Sequence, residues 1–66
     1  MYIVGKTEYG DTVYWGYGNW RESIADAESF GTMGGHFKMG ELEATYVDTY
    51  NPSTYRGVRI VSIHAL

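Results

Sequence analysis

Residues capable of nucleophilic, acid–base or metal chemistry are few in this chain and widely spread. Gly35-His36-Phe37-Lys38-Met39-Gly40 has the glycine spacing that opens a phosphate-binding loop. Such a loop next needs Lys and Ser or Thr, to reach the β- and γ-phosphates and magnesium. Glu41 and Leu42 follow instead, and a carboxylate there repels phosphate. The segment reads as a flexible glycine-rich connector. His36 and His64 could share a divalent metal with Glu41 or Asp48, but structural zinc wants four ligands at tight spacing. The chain has no Cys, which excludes disulfides and thiolate metal sites. Glu22 and Asp26 stand at i and i+4 on an expected polar helix face, and Glu41 and Glu43 point the same way on a strand. A catalytic carboxylate needs a cleft that perturbs its pKa, and a chain of 66 residues has little room for one. Ser23, Ser29, Ser53 and Ser62 lack the strand-to-helix elbow that activates a serine. No catalytic residue, metal ligand or cofactor is assigned, and the expectation is a protein that is not an enzyme.

What the chain has in excess is rings. Seven Tyr, two Trp and two Phe bring the aromatic share to 17%. One small core cannot enclose all of them, and exposed Tyr offers contact area at low entropy cost. The residues assigned to binding are Tyr9, Tyr14, Tyr46, Tyr50 and Tyr55, and the partner expected is another protein. Single-stranded nucleic acid also stacks on aromatic side chains, but it needs a basic groove. Lys6, Arg21, Lys38, Arg56 and Arg59 are scattered and the net charge is −3, which argues against direct nucleic-acid binding. An acidic nucleic-acid mimic stays open as a second alternative. No stretch approaches the ~18 apolar residues of a membrane span. No basic, then apolar, leader opens the chain, and Pro52 disqualifies Asn51-Pro52-Ser53 as a glycosylation site. The expected compartment is the cytoplasm. Because a strand pattern starts at once after Met1, a complete short chain is expected.

These residues must be held by a small α+β fold of one domain, residues 1–66. Tyr2 to Tyr9 and Thr12 to Tyr17 are rich in β-branched and aromatic types, with Gly10-Asp11 between them as a two-residue type II′ turn. That turn sets Tyr9 opposite Thr12, Thr7 opposite Tyr14 and Lys6 opposite Trp15. Val13, Trp15 and Tyr17 then share a face with Tyr2 and Val4. Asn19 and Glu22 form a capping box for a helix over residues 20–30, on which Trp20, Ser23, Ile24, Ala27 and Phe30 make one stripe. Ser23 with Asp26 is the alternative start. Thr32 could cap a short second helix with Met33, Phe37 and Leu42 inward, or residues 31–40 could be a loop, since four glycines weaken a helix. Residues 44–50 alternate as a strand, Asn51-Pro52-Ser53-Thr54 signals a type I turn, and Val58 to Ile63 reads as a central strand. The expectation is ββαββ: about four antiparallel strands packed on one short helix. Ile3, Trp20, Ile24, Phe30, Val58 and Ile60 are the expected core.

The run Trp20-x3-Ile24-x2-Ala27-x2-Phe30-x-Thr32, after an aromatic hairpin and before a closing apolar strand, resembles short uncharacterised proteins of tailed bacteriophages. It departs from them after Thr32, where an Ala/Glu helix is usual and glycines stand here. The resemblance covers about half the chain and brings no catalytic residue with it. It implies a phage-encoded inhibitor or modulator of a host protein or defence complex, working in the bacterial cytoplasm. A self-associating protein, such as a homodimer joined by an aromatic sheet face, is the alternative.

Overall fold

The computed structural model describes residues 1–48 and 50–66, and the side chains of all of these except 46 and 47. Its elements are β1 (Ile3–Thr7), β2 (Thr12–Gly16), β3 (Asn19–Arg21), α1 (Thr32–Glu43), β4 (Thr54–Tyr55) and β5 (Val58–Ala65), with 3-10 turns at Ile24–Asp26 and Ala44–Val47. The class is the expected α+β, with one antiparallel sheet and one α-helix. The sheet has five strands rather than about four, in the order β3-β2-β1-β5-β4.

The first hairpin forms, but in another register. Val4 lies opposite Tyr14, Gly5 opposite Val13 and Lys6 opposite Thr12. The connection is Glu8-Tyr9-Gly10 rather than Gly10-Asp11. The Thr7 carbonyl accepts from the Gly10 N–H and the Thr7 N–H donates to the Asp11 carbonyl, both at 3.0 Å. Gly10 has φ +86°. That is a type I turn closed by a left-handed glycine bulge. Because a strand alternates faces, Val13 and Trp15 now share the inner face with Ile3 and Gly5, not with Tyr2 and Val4.

No helix forms over 20–30. Tyr17 and Gly18 take φ +51° and +90°, both positive as a type I′ turn requires, and send residues 19–21 back along β2 as β3. Trp20 faces Trp15 there, with ring centroids 5.3 Å apart at 79°. Ser23 still caps, but only the short turn: its hydroxyl accepts from the Ala25 N–H at 3.2 Å. The chain is extended again by Ala27, and the Phe30 N–H donates to the Met1 carbonyl at 2.8 Å. Ile24 is therefore exposed, against expectation, while Phe30 packs on the core and Val58 is half-buried.

The helix is the glycine-rich segment. Gly35 is buried because Met1 lies where its Cβ would be, and Leu42 reaches the core. Here close packing outweighs the weak helix propensity of glycine. Met33 and Phe37, placed inward from sequence, point outward. Residues 44–47 form a 3-10 turn rather than a strand. The Asp48 carboxylate then accepts from the Tyr50 and Asn51 N–H groups at 2.9 and 3.0 Å. The tight turn of the last hairpin is Arg56-Gly57, at φ +52° and +79°, and not 51–54.

Ile3, Val13, Trp20, Leu42 and Ile60 make the core. Gly5 leaves room for the Trp20 indole: a Cβ there would lie 2.9 Å from its ring. The sheet also curls until its two edge strands meet. Trp20, on β3, donates its indole N–H to the Ser53 hydroxyl beside β4 at 2.8 Å. Glu22, just past β3, pairs with Arg56 in the β4–β5 turn at 3.6 Å.

Candidate functional site

Antiparallel order places the Glu8–Gly10 loop and the Arg56-Gly57 turn at one end of the sheet, and the Tyr17-Gly18 turn at the other. At the first of these ends, between the start of β2 and the β4–β5 hairpin, lies an open cleft of about 390 Å³. Thr12 and Val13 of β2, Tyr55 of β4 and Val58 of β5 line it, with Asp11, Glu22 and Arg56 at its charged margin. Val13 is core and fixes the floor. The β1–β2 loop is tied to the β5 side by the Glu8 N–H, which donates to the Arg59 carbonyl at 2.9 Å. Arg56 is held from two directions. Its guanidinium carbon sits 5.2 Å from the Tyr55 ring centroid, and its terminal nitrogen faces Glu22. Both ends of that ion pair are largely exposed, so it steers orientation more than it stabilises. The Thr12 hydroxyl accepts from the Lys6 ammonium, on the outer face of the sheet. Among the described lining residues there is no imidazole, and the cleft offers a ring face, a guanidinium, two carboxylates and an apolar floor.

Of the residues assigned to binding, Tyr9 and Tyr55 come to this end together. Tyr9 is 79% exposed at the tip of its loop, and Tyr55 is half-buried in the cleft wall. Tyr14 is half-buried on the outer face, level with Val4 and Arg21. Tyr50 is 98% exposed in the connection after α1. The side chain of Tyr46 lies outside the described residues. The four described ones therefore do not form one patch. Sequence reasoning missed Tyr17, 71% exposed at the far end, because it placed that residue on a strand face. The positive φ at Tyr17 follows from Gly18 and the Trp15–Trp20 pairing, and the Tyr-Gly pair between two aromatic runs was the available signal.

The other candidates are dispersed. Gly35 and Gly40 lie within α1, so the phosphate-loop spacing is helical and not a connector. Among the described residues no three His, Asp or Glu side chains come together as a metal site. Glu22 and Asp26 do not share a helix face, since one pairs with Arg56 and the other closes the 3-10 turn. Glu41 and Glu43 are in α1, where Glu41 pairs with Lys38 at 3.4 Å. No described helix is long and apolar enough to cross a membrane. No family model, curated protein or solved structure matches the chain.

Proposed function

We propose that the chain is a small non-catalytic module that binds another protein, as a phage-encoded inhibitor or modulator of a host protein or defence complex does. The observation that carries this reading is the cleft end of the sheet. There Tyr55, with the Arg56 guanidinium over its ring, lines the cleft, and Tyr9 is exposed on the loop at the same end of the sheet. Tyr and Arg are the side chains that most often anchor protein interfaces. A partner loop could lay an apolar side chain on Val58 and the Tyr55 ring while meeting Arg56 at the rim. The phage context rests on the sequence pattern alone.

The test is a quantitative pull-down from bacterial lysate with the parent chain, Tyr9→Ala and Tyr55→Ala. Mutation of an interface anchor costs ~2 kcal/mol or more, which is roughly thirtyfold in affinity. One stoichiometric protein should be held by the parent and lost with Tyr9→Ala, at unchanged circular dichroism. Capture that ignores both substitutions would remove the cleft end from consideration.

A further inference from the structure

The outward side of α1 is as apolar as the side it turns to the sheet. Gly35, Met39 and Leu42 face in. Met33, Phe37, Gly40 and Ala44 fall on the opposite side by helical periodicity. Met33 is 87% and Phe37 72% exposed, Gly40 has open space beyond it, and Ala44 is exposed. A surface helix ordinarily carries polar residues there. The steps from Met33 to Phe37, Gly40 and Ala44 alternate between four and three residues, the spacing of a coiled-coil seam. A glycine at Gly40 weakens the helix relative to alanine, and no neighbour among the described residues requires it.

We propose that this face packs on the same face of a second copy, antiparallel about a two-fold axis between Phe37 and Gly40. The seam is complementary to its own reversal. Each layer sets large against small: Met33 meets Ala44 and Phe37 meets Gly40, and the symmetry makes each contact twice. The missing Cβ at Gly40 is the socket for a phenyl ring. The same reversal brings His36 of one copy beside Glu43 of the other along one flank, an imidazole against a carboxylate. The Lys38–Glu41 pair stays on the remaining flank. A helix from an unrelated protein has no use for a pattern that reads alike in both directions, whereas a two-fold pair needs it. The twelve residues of α1 span ~18 Å. A contact that short is small beside a standard interface of ~800 Å² per partner, so the pair is expected to be weak enough for concentration to set the state. This surface is separate from the cleft end.

Sedimentation equilibrium of the full chain from roughly 5 to 500 μM spans the range in which mass action moves a micromolar dimer. The average mass should climb from the 7.5 kDa monomer toward its double. Phe37→Glu should weaken the dimer at least tenfold. Gly40→Leu should weaken it as much while leaving the dilute monomer at least as resistant to heat, because leucine fills the socket yet favours the helix. Glu43→Lys should weaken the dimer, and adding His36→Glu should restore it. A strict monomer across the whole range overturns the proposal. So does a dimer indifferent to Gly40→Leu, or a monomer that pairs only with a different protein's helix.

Discussion

Ser53→Ala tests whether one side-chain hydrogen bond closes the curled sheet. The Trp20 indole is almost wholly buried and its N–H donates to the Ser53 hydroxyl at 2.8 Å. Removing the acceptor leaves a buried donor unsatisfied, at a cost of ~1–3 kcal/mol. The Ser53 carbonyl, which accepts from the Ile60 N–H at 2.9 Å, is untouched, so the backbone tie between the segment before β4 and β5 persists. A domain this small has ~3–5 kcal/mol of stability from its core, and 1 kcal/mol moves its Tm by roughly 4–8 °C. Ser53→Ala should therefore lower Tm by ~4–24 °C in a circular dichroism melt. Trp20→Phe deletes the donor instead. In that background Ser53→Ala should be neutral within ~0.5 kcal/mol, giving a coupling energy of ~1 kcal/mol or more in the double-mutant cycle. An equal loss in both backgrounds, or a Ser53→Ala melt superimposed on the parent, refutes the claim that this bond joins the two edges.

Ile60→Ala should cost ~2–5 kcal/mol by opening a cavity in the core, while Ile24→Ala at its exposed site should stay within ~0.5 kcal/mol; urea titration separates them. Gly5→Ala and Gly40→Ala should have opposite signs. The first drives a methyl against the rigid Trp20 ring and Ile60, costing ~1–3 kcal/mol. The second adds a helix former in open space and gains up to ~1 kcal/mol in dilute solution. Tyr17→Asn should raise Tm by a few degrees, because asparagine tolerates the left-handed backbone there at less cost than tyrosine.

The first hairpin and the long last strand were legible because alternation and β-branched content are local signals. Register was not. Whether the turn is Gly10-Asp11 or Glu8-Tyr9-Gly10 depends on where the bulge falls, and both choices use the same glycine. The helix was misplaced for a tertiary reason. Trp20, Ile24, Ala27 and Phe30 have helical spacing, but Trp20 is taken by Trp15 across the sheet and Phe30 by the backbone of Met1. The segment that does coil contains Gly34, Gly35 and Gly40, which local propensity reads as loop. Its reason to coil lies in Met1 seated on Gly35 and in Leu42, contacts that span the chain. Of the candidate site, ring excess was visible in composition. The pairing of Tyr9 with Tyr55 at one end required the strand order.

The two type I′ turns separate structural strain from strain with another purpose. Each has glycine second, at Gly18 and Gly57, and a bulky residue first, at Tyr17 and Arg56, where asparagine or glycine is the low-energy choice. Arg56 earns its position inside the molecule, since its side chain lies over Tyr55 and reaches Glu22. Tyr17 does not. The Tyr17 N–H donates to a Glu28 carboxylate oxygen at 3.2 Å and its carbonyl accepts from Arg21 at 3.5 Å, bonds that any residue could make. Its ring enters no hydrogen bond, ring pair or cation contact among the described residues. A strained backbone under an idle ring makes Tyr17 a position to test as a contact anchor. If Tyr17 is such an anchor, the gain in Tm from Tyr17→Asn comes with a loss of partner affinity. A variant that is both more stable and equally competent would place the strain with no function at all.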